Sequence, residues 1–371
     1  MQTTSVPCTS RFNVPRVRRY LTWMSLAGLI LYGLISFRIA DFQQTPKSGE
    51  DLRCYYAIAG RIHAGEGYYQ AAYQELQRRG YPTNSVFNWR LPFLATLLGK
   101  LPSPEAGQVI AILLSFFTLW LWIDVAAKRM PLLQVALGAV PLAGLAVYSF
   151  IAIIFVMHEL WAGILISISL LAHGRGWRRL SLAAGILSLF IRELALPFAA
   201  VMFSMSLADH RRKEAIAWLF GILAFFSMMA FHANQVHAFT HSHANLNFTK
   251  WVAWGGWNYV LATIQVQPFL FVCPSWVTAV LAPFALVGFL AWRDPLGKRM
   301  GLTAAAYVLI FLFVGRNNNA YWGLLYCNLV PLGLLYAPVA LSNTASLKNI
   351  PAMPPGGESH PTAGRPPRRR V

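Results

Sequence analysis

Apolar stretches of about 18–22 residues recur along most of the chain, separated by short polar or basic breaks. Runs of that length match the hydrocarbon thickness of a bilayer when wound as α-helices at 1.5 Å per residue. Candidate helices fall at 20–40, 106–127, 131–150, 153–172, 180–191, 194–208, 215–231, 269–292, 302–314 and 321–341. This predicts an all-α, polytopic transmembrane helical bundle of about ten spans. The first run follows Arg11, Arg16, Arg18 and Arg19. At about 20 residues it exceeds a signal-peptide core and reads as a retained span.

Between the first two runs, residues 41–105 form a long polar segment with different patterning. It holds Tyr55, Tyr56, Tyr68, Tyr69, Tyr73 and Tyr81 and half-apolar stretches at 52–64 and 91–101. Those stretches are too short to cross hydrocarbon, so amphipathic helices lying at the membrane surface are expected. Residues 1–342 thus read as one integral membrane domain. The tail 343–371, rich in Pro, Gly and Arg, reads as a disordered basic extension.

Composition agrees with this class: 56% of residues are hydrophobic and only 12% are charged. The formal charge of +18 arises from Lys and Arg clustered between apolar runs. Alternating spans collect 20 of the 31 basic residues on one side. The positive-inside rule makes that side cytoplasmic, with both termini, and excludes nucleic acid as the reason for the charge. An integral, multi-pass protein of a bacterial plasma membrane is the expectation. The same rule favours a hairpin over one long helix at 180–208, because a single helix would put Arg211, Arg212 and Lys213 outside. The scattered cysteines Cys8, Cys54, Cys273 and Cys327 form no CxxC pair.

On the outer side, Asp51 opens a predicted surface helix, in Gly49-Glu50-Asp51-Leu52-Arg53-Cys54-Tyr55-Tyr56. An acid there can cap the helix, or act as a general base near the bilayer. Arg192 lies at the turn of the apolar hairpin, where charge is costly and usually functional, or pairs structurally with Glu193 or Glu159. Arg316 lies on the last outer loop. His158 and Glu159 lie just inside the outer end of a middle span, as a buried pair or a sugar-binding one. His237, His241 and His243 are spaced to approach a metal, but no Cys or carboxylate completes the set, so no metal is assigned. Trp251, Trp254 and Trp257 follow, with aromatic faces suited to sugar rings and headgroup depth alike. There is no P-loop, Gly-x-Ser-x-Gly, HExxH or Rossmann glycine pattern.

A short basic start, one span, an acid followed by paired tyrosines, then Tyr68-Tyr69, Tyr81-Pro82 and Leu91-Pro92 before the second span resembles the GT-C membrane glycosyltransferases. It is most similar to glycosyltransferase family 87, the polyprenyl-phosphate-mannose-dependent mannosyltransferases. The chain departs from that family where a Gly-Gln pair with a nearby Asn is usual; it reads His158-Glu159-Leu160-Trp161-Ala162-Gly163. The resemblance implies Asp51 as catalytic base, with Asp41 and Glu50 as fallbacks, and Arg192 as a donor-phosphate ligand; Arg316, by its place on the last outer loop, is the second phosphate candidate or a solvated loop arginine. Tyr55, Tyr56, His158, Glu159 and Trp254 would contact sugar or acceptor. It implies a polyprenyl-phosphate sugar donor, a glycan or glycolipid acceptor, surrounding membrane lipids, and no cofactor. The rivals are a lipid-linked glycan flippase and a non-catalytic subunit of an envelope-assembly complex, neither of which needs an acidic base.

Overall fold

The computed structural model describes residues 14–39, 41, 49–240, 254–315 and 317–343, with side chains from residue 22 onward except at Asn317 and Asn343. Every regular element among them is helical. The helices are α1 (Val14–Ser36), α2 (Glu50–His63), α3 (Tyr68–Arg78), α4 (Pro92–Lys100), α5 (Ala106–Ala126), α6 (Leu132–Phe150), α7 (His158–Arg175) and α8 (Arg178–Ile191). They continue with α9 (Leu196–Ala208), α10 (Arg212–Thr240), α11 (Gly256–Gln265), α12 (Pro268–Phe271), α13 (Ser275–Ala291), α14 (Pro295–Phe313) and α15 (Ala337–Asn343).

Four of these, α5, α6, α10 and α14, are long and apolar enough to cross a membrane. A fifth crossing is possible through the bent pair Asn318–Leu325 and Val330–Ser342, which meet at 56°. The described residues therefore do not supply ten full-length spans. Helices α8 and α9 have 14 and 13 residues, about 20 Å each against a hydrocarbon core of about 30 Å. Residues 269–292 are not one helix either: α12 ends at Phe271 and α13 begins after Pro274, which cannot donate to a continuing ladder.

Helix α7 is the axis of the bundle. Every residue from His158 to His173 is buried, so it touches protein on all sides. The peripheral helices expose apolar stripes instead. On α5 these are Val109, Leu113, Phe116, Trp120 and Ile123, spaced by three and four residues along one face. Such a stripe fits lipid, since a soluble surface rarely carries one. Trp122, on the opposite face of α5, is fully buried over Gly138 of α6 and donates from Nε1 to the Val135 carbonyl at 2.8 Å.

The turn between α8 and α9 is a hairpin, as the charge argument predicts. Arg192 adopts extended backbone (φ −144°, ψ 117°) and Pro197 sits in the first turn of α9. The far ends come back to one face. Glu214, at the start of α10, lies 3.4 Å from His173 of α7 and 3.9 Å from Arg178 of α8, while Asp209 after α9 pairs with Arg299 of α14. Asp124 of α5 meets Arg175 at 2.5 Å on that same face, called here the basic face.

Residues 317–336 run as two 3-10 segments, where a regular helix was expected. They pack backbone to backbone against their neighbours. A methyl on Gly323 would collide with the Thr263 carbonyl oxygen, and one on Gly163 with that of Leu324. Neither carbonyl can rotate away. Gly323→Ala is expected to cost roughly 1–3 kcal/mol, read as a lower Tm in detergent, whereas Gly60→Ala, which has open space around it on α2, leaves Tm unchanged or slightly raised.

Candidate functional site

The face opposite the basic one is covered by a cap made of α2, α3, the 3-10 turn Val86–Asn88 and α4. The two half-apolar stretches expected at the surface are helical, as α2 and α4, with Cys54, Ile58 and Ala59 of α2 and Leu94, Ala95 and Leu98 of α4 turned inward, and α3 between them buries Ala71, Ala72 and Leu76. The last turns of α10 rise to meet them. His232 Nε2 lies 3.2 Å from the Trp89 carbonyl and Nδ1 lies 3.1 Å from the Tyr69 hydroxyl, and Phe239 stacks on Tyr69. This contact explains why α10 continues nine residues past the apolar run.

Glu75 fastens the cap internally. Its side chain is 2% exposed and accepts from Arg61 Nε at 2.8 Å and Arg79 Nε at 3.2 Å, with Arg78 at 3.7 Å. Arg79 also reaches Glu50 at 3.0 Å, and Glu50 meets Arg53 at 3.3 Å. Glu50 is thus engaged in ion pairs. Asp41 is exposed, its backbone N–H donating to the Arg38 carbonyl.

Asp51 is half-buried in the first turn of α2, and its Oδ1 accepts from the Tyr81 hydroxyl. The position preceding the helix is Gly49, which makes no side-chain cap. Burial and the bond to Asp51 push the Tyr81 phenol up. Tyr55, one turn along, is raised mainly by burial; Arg90 opposes this, and Tyr321, Asp51 and Glu159 add to it. Asp51 therefore lies within electrostatic reach of Tyr55.

From Tyr55 the contacts run inward. Its hydroxyl accepts from Arg90 Nε at 2.8 Å, and Arg90 Nη2 donates to the Tyr321 hydroxyl at 3.1 Å. Arg90 stands 3.9 Å from Glu159 Oε1, which Arg192 Nε approaches to 2.7 Å. Arg192 Nη1 pairs with Glu193, and its guanidinium lies 6.0 Å from the Trp322 ring centroid. Burial alone would lower the pKa of Arg90, but Tyr55, Tyr321, Glu159 and Glu193 outweigh that and hold it well above the ordinary range. The charges of the buried Arg90, Arg192 and Glu159 and the half-buried Glu193 cancel. His158 is buried with its ring edge-on to Tyr55 at 5.4 Å, and neither ring nitrogen has a hydrogen-bond partner.

Asp51, one turn before Tyr55 on α2, bonds to Tyr81, while Tyr55, His158, Glu159 and Arg192 gather around Arg90, which the sequence reading missed. Its one sequence signal was a charge directly before Leu91-Pro92, in a segment otherwise turning apolar. Two expected residues stand apart. Tyr56 donates to Glu105 at the cap edge, and Trp254 is 72% exposed, edge-on to Phe313 at 5.2 Å. Arg316, His241 and His243 lie outside the described residues. Among the described residues, no three His, Cys, Asp or Glu side chains are grouped to hold a metal.

Two spaces adjoin the cluster. A cavity of about 10 Å³, lined by Tyr55, Tyr68, Trp89, Arg90 and His158 among others, has room for about one water. A lateral apolar groove of about 330 Å³ opens between α4, α8 and α10, lined by Pro92, Phe93, Thr96, Leu97, Lys100, Phe190 and Met228. Pro92 and Phe190 are each two residues from the buried arginines. Comparison with protein-family models, curated proteins and solved structures finds no match.

Glu75 gives a pH prediction. Burial tends to raise its pKa, but the bonds from Arg61 and Arg79 prevail and hold it below the ordinary carboxylate value. The group therefore contributes stability that is full above about pH 4.5 and lost as pH falls through the lowered folded value. Glu75→Gln should lower Tm at pH 7, speed proteolysis within residues 61–79, and flatten the loss of stability below pH 4.5. An unchanged acid profile would remove Glu75 from that role.

Proposed function

We propose that the chain is an inverting membrane glycosyltransferase that moves a mannose-like hexose from a polyprenyl-phosphate sugar to a glycan or glycolipid acceptor. In this reading about ten helices cross the membrane, singly or as short hairpins, with both termini and the basic face cytoplasmic. What supports the proposal is that the face opposite the basic one carries a half-buried carboxylate, two buried arginines sharing Glu159, and an apolar groove lined by the chain neighbours of those arginines.

Each part has a task. The groove, open toward lipid, suits an isoprenoid chain, which would bring its phosphate toward Lys100 and the arginines. The acceptor oxygen attacks the anomeric carbon while Asp51 takes its proton, and the bond from that carbon to the phosphate oxygen breaks. Polyprenyl phosphate leaves with the added negative charge, which guanidinium groups stabilise. Arg192 is occupied by Glu159 and Glu193, so the donor phosphate would exchange with one of these carboxylates, with Arg316 as the second expected ligand. Tyr55 and His158, on the cavity wall, would meet the sugar once the cap opens beyond the volume of one water.

The test is release of polyprenyl phosphate from radiolabelled polyprenyl-phosphate mannose by the purified protein with an oligomannoside acceptor. Asp51→Asn should lower release by roughly 10²–10⁴-fold at unchanged Tm, and Arg90→Met should abolish it. Donor binding without release by the wild type would favour a flippase or a non-catalytic subunit.

A further inference from the structure

The cavity for one water is walled on one side by a single helix. Tyr68, Ala72 and Leu76 of α3, spaced by four residues and so aligned on one helix face, line it together with Tyr55 of α2, Arg90 and His158. Exposed glycine turns flank that helix. Gly65 (φ 98°) precedes α3 and Gly80 (φ 68°) follows it, both in left-handed backbone and both with open space where a Cβ would stand.

The packing of α3 also differs from that of its neighbours in the cap. Helices α2 and α4 send Ala59, Leu94 and Leu98 into the main core of the bundle, whereas Ala71, Ala72 and Leu76 of α3 belong to a smaller cluster with Cys54, Trp89 and Val236. Two of those three α3 residues are alanines, which bury little area each. The remaining ties are polar at their tips. The Tyr68 hydroxyl donates to the Arg90 carbonyl, and the Tyr69 hydroxyl lies 3.1 Å from His232 Nδ1. Glu75 and Arg79 pair with Arg61 and Glu50 of α2 at 2.8 and 3.0 Å. Such bonds contribute little net stability, because water replaces them on opening. A short segment with two glycine ends and few buried apolar contacts has the makings of a locally opening element.

We propose that α3 is a lid, which swings on the turns at Gly65 and Gly80 and uncovers Tyr55, Arg90 and His158 while α2 and α4 stay in the bundle. The motion rests on this geometry alone; admission of a sugar through it rests on the transferase reading.

Cys54 reports the motion. It is 1% exposed, in the cluster that α3 closes, and burial pushes its thiol up to about 12, so it is inert to maleimide while covered. Cys327, fully buried in the bundle, serves as the control for global unfolding. The full chain carrying Cys8→Ser and Cys273→Ser, in mild detergent, is treated with N-ethylmaleimide, and labelling of each remaining cysteine is followed by peptide mass spectrometry. Cys54 should label at least tenfold faster than Cys327. Gly65→Ala with Gly80→Ala, which strains the closed form, should speed Cys54 labelling at least threefold, as should Tyr69→Phe, which keeps the ring and removes the bond to His232. Gly60→Ala, inside α2, should leave the rate unchanged. Equal labelling of Cys54 and Cys327 would mean that only global unfolding uncovers Cys54 and would overturn the lid. A fast Cys54 whose rate ignores the glycine pair would overturn α3 as the moving element. Both outcomes are distinct from failure of the transferase, which is read by release of polyprenyl phosphate.

Discussion

A carboxylate with almost no access to water, Glu159, sits between two guanidiniums that come from different parts of the fold. Arg192 reaches it from the break between α8 and α9, and Arg90 from the cap. Charges buried this deeply are tolerated only when paired, because an isolated one costs several kcal/mol. The requirement works in both directions. Glu159 starts the central helix α7, so the cap and the α8–α9 turn must be placed where their arginines can meet it. The extended backbone at Arg192 and the position of the residue before Leu91-Pro92 follow from that need.

The same constraint sets the charge balance of the cap face. Four charges that cancel, three of them buried, leave no fixed anion site on the cap face. Tyr55 and Tyr321 extend the network on either side of Arg90, and Asp51, one turn before Tyr55, is held by Tyr81. The face is therefore closed around a space for about one water while remaining open sideways. The basic face has the opposite balance, with cations in excess of acceptors around Glu214. The two ends of α7 thus differ in electrostatics, with balanced charges at one and an excess of cations at the other.

Much of the fold was legible in the chain. Helices α5 and α6 match their apolar runs within a residue or two, and the turn at Arg192 followed from asking where Arg211 to Lys213 could reside. Asp51 was found at a helix start because an acid there stands out against a half-apolar segment. What escaped was set by tertiary contact. Residues 232–240 look polar, yet they continue α10 because Tyr69, Trp89 and Tyr73 cover His232, Val236 and Phe239. The 3-10 course of 317–336 follows from glycines pressed against the carbonyls of distant residues, which local propensity does not encode. Arg90 was passed over because a single charge in a surface loop looks solvated until its burial is seen.

The most direct measurement of the Glu159 anchor is a double-mutant cycle on thermal stability in detergent, using Glu159→Gln, Arg192→Met and the pair together. Each single change removes the nearest partner of a buried charge, leaving Arg192 only Glu193 or Glu159 only Arg90 at 3.9 Å, at a cost of up to about 3–5 kcal/mol, so the double variant should be less destabilised than the sum of the singles by at least about 1 kcal/mol. Additive losses, or singles as stable as the wild type, would contradict the claim that this buried pair organises the cap and the bundle.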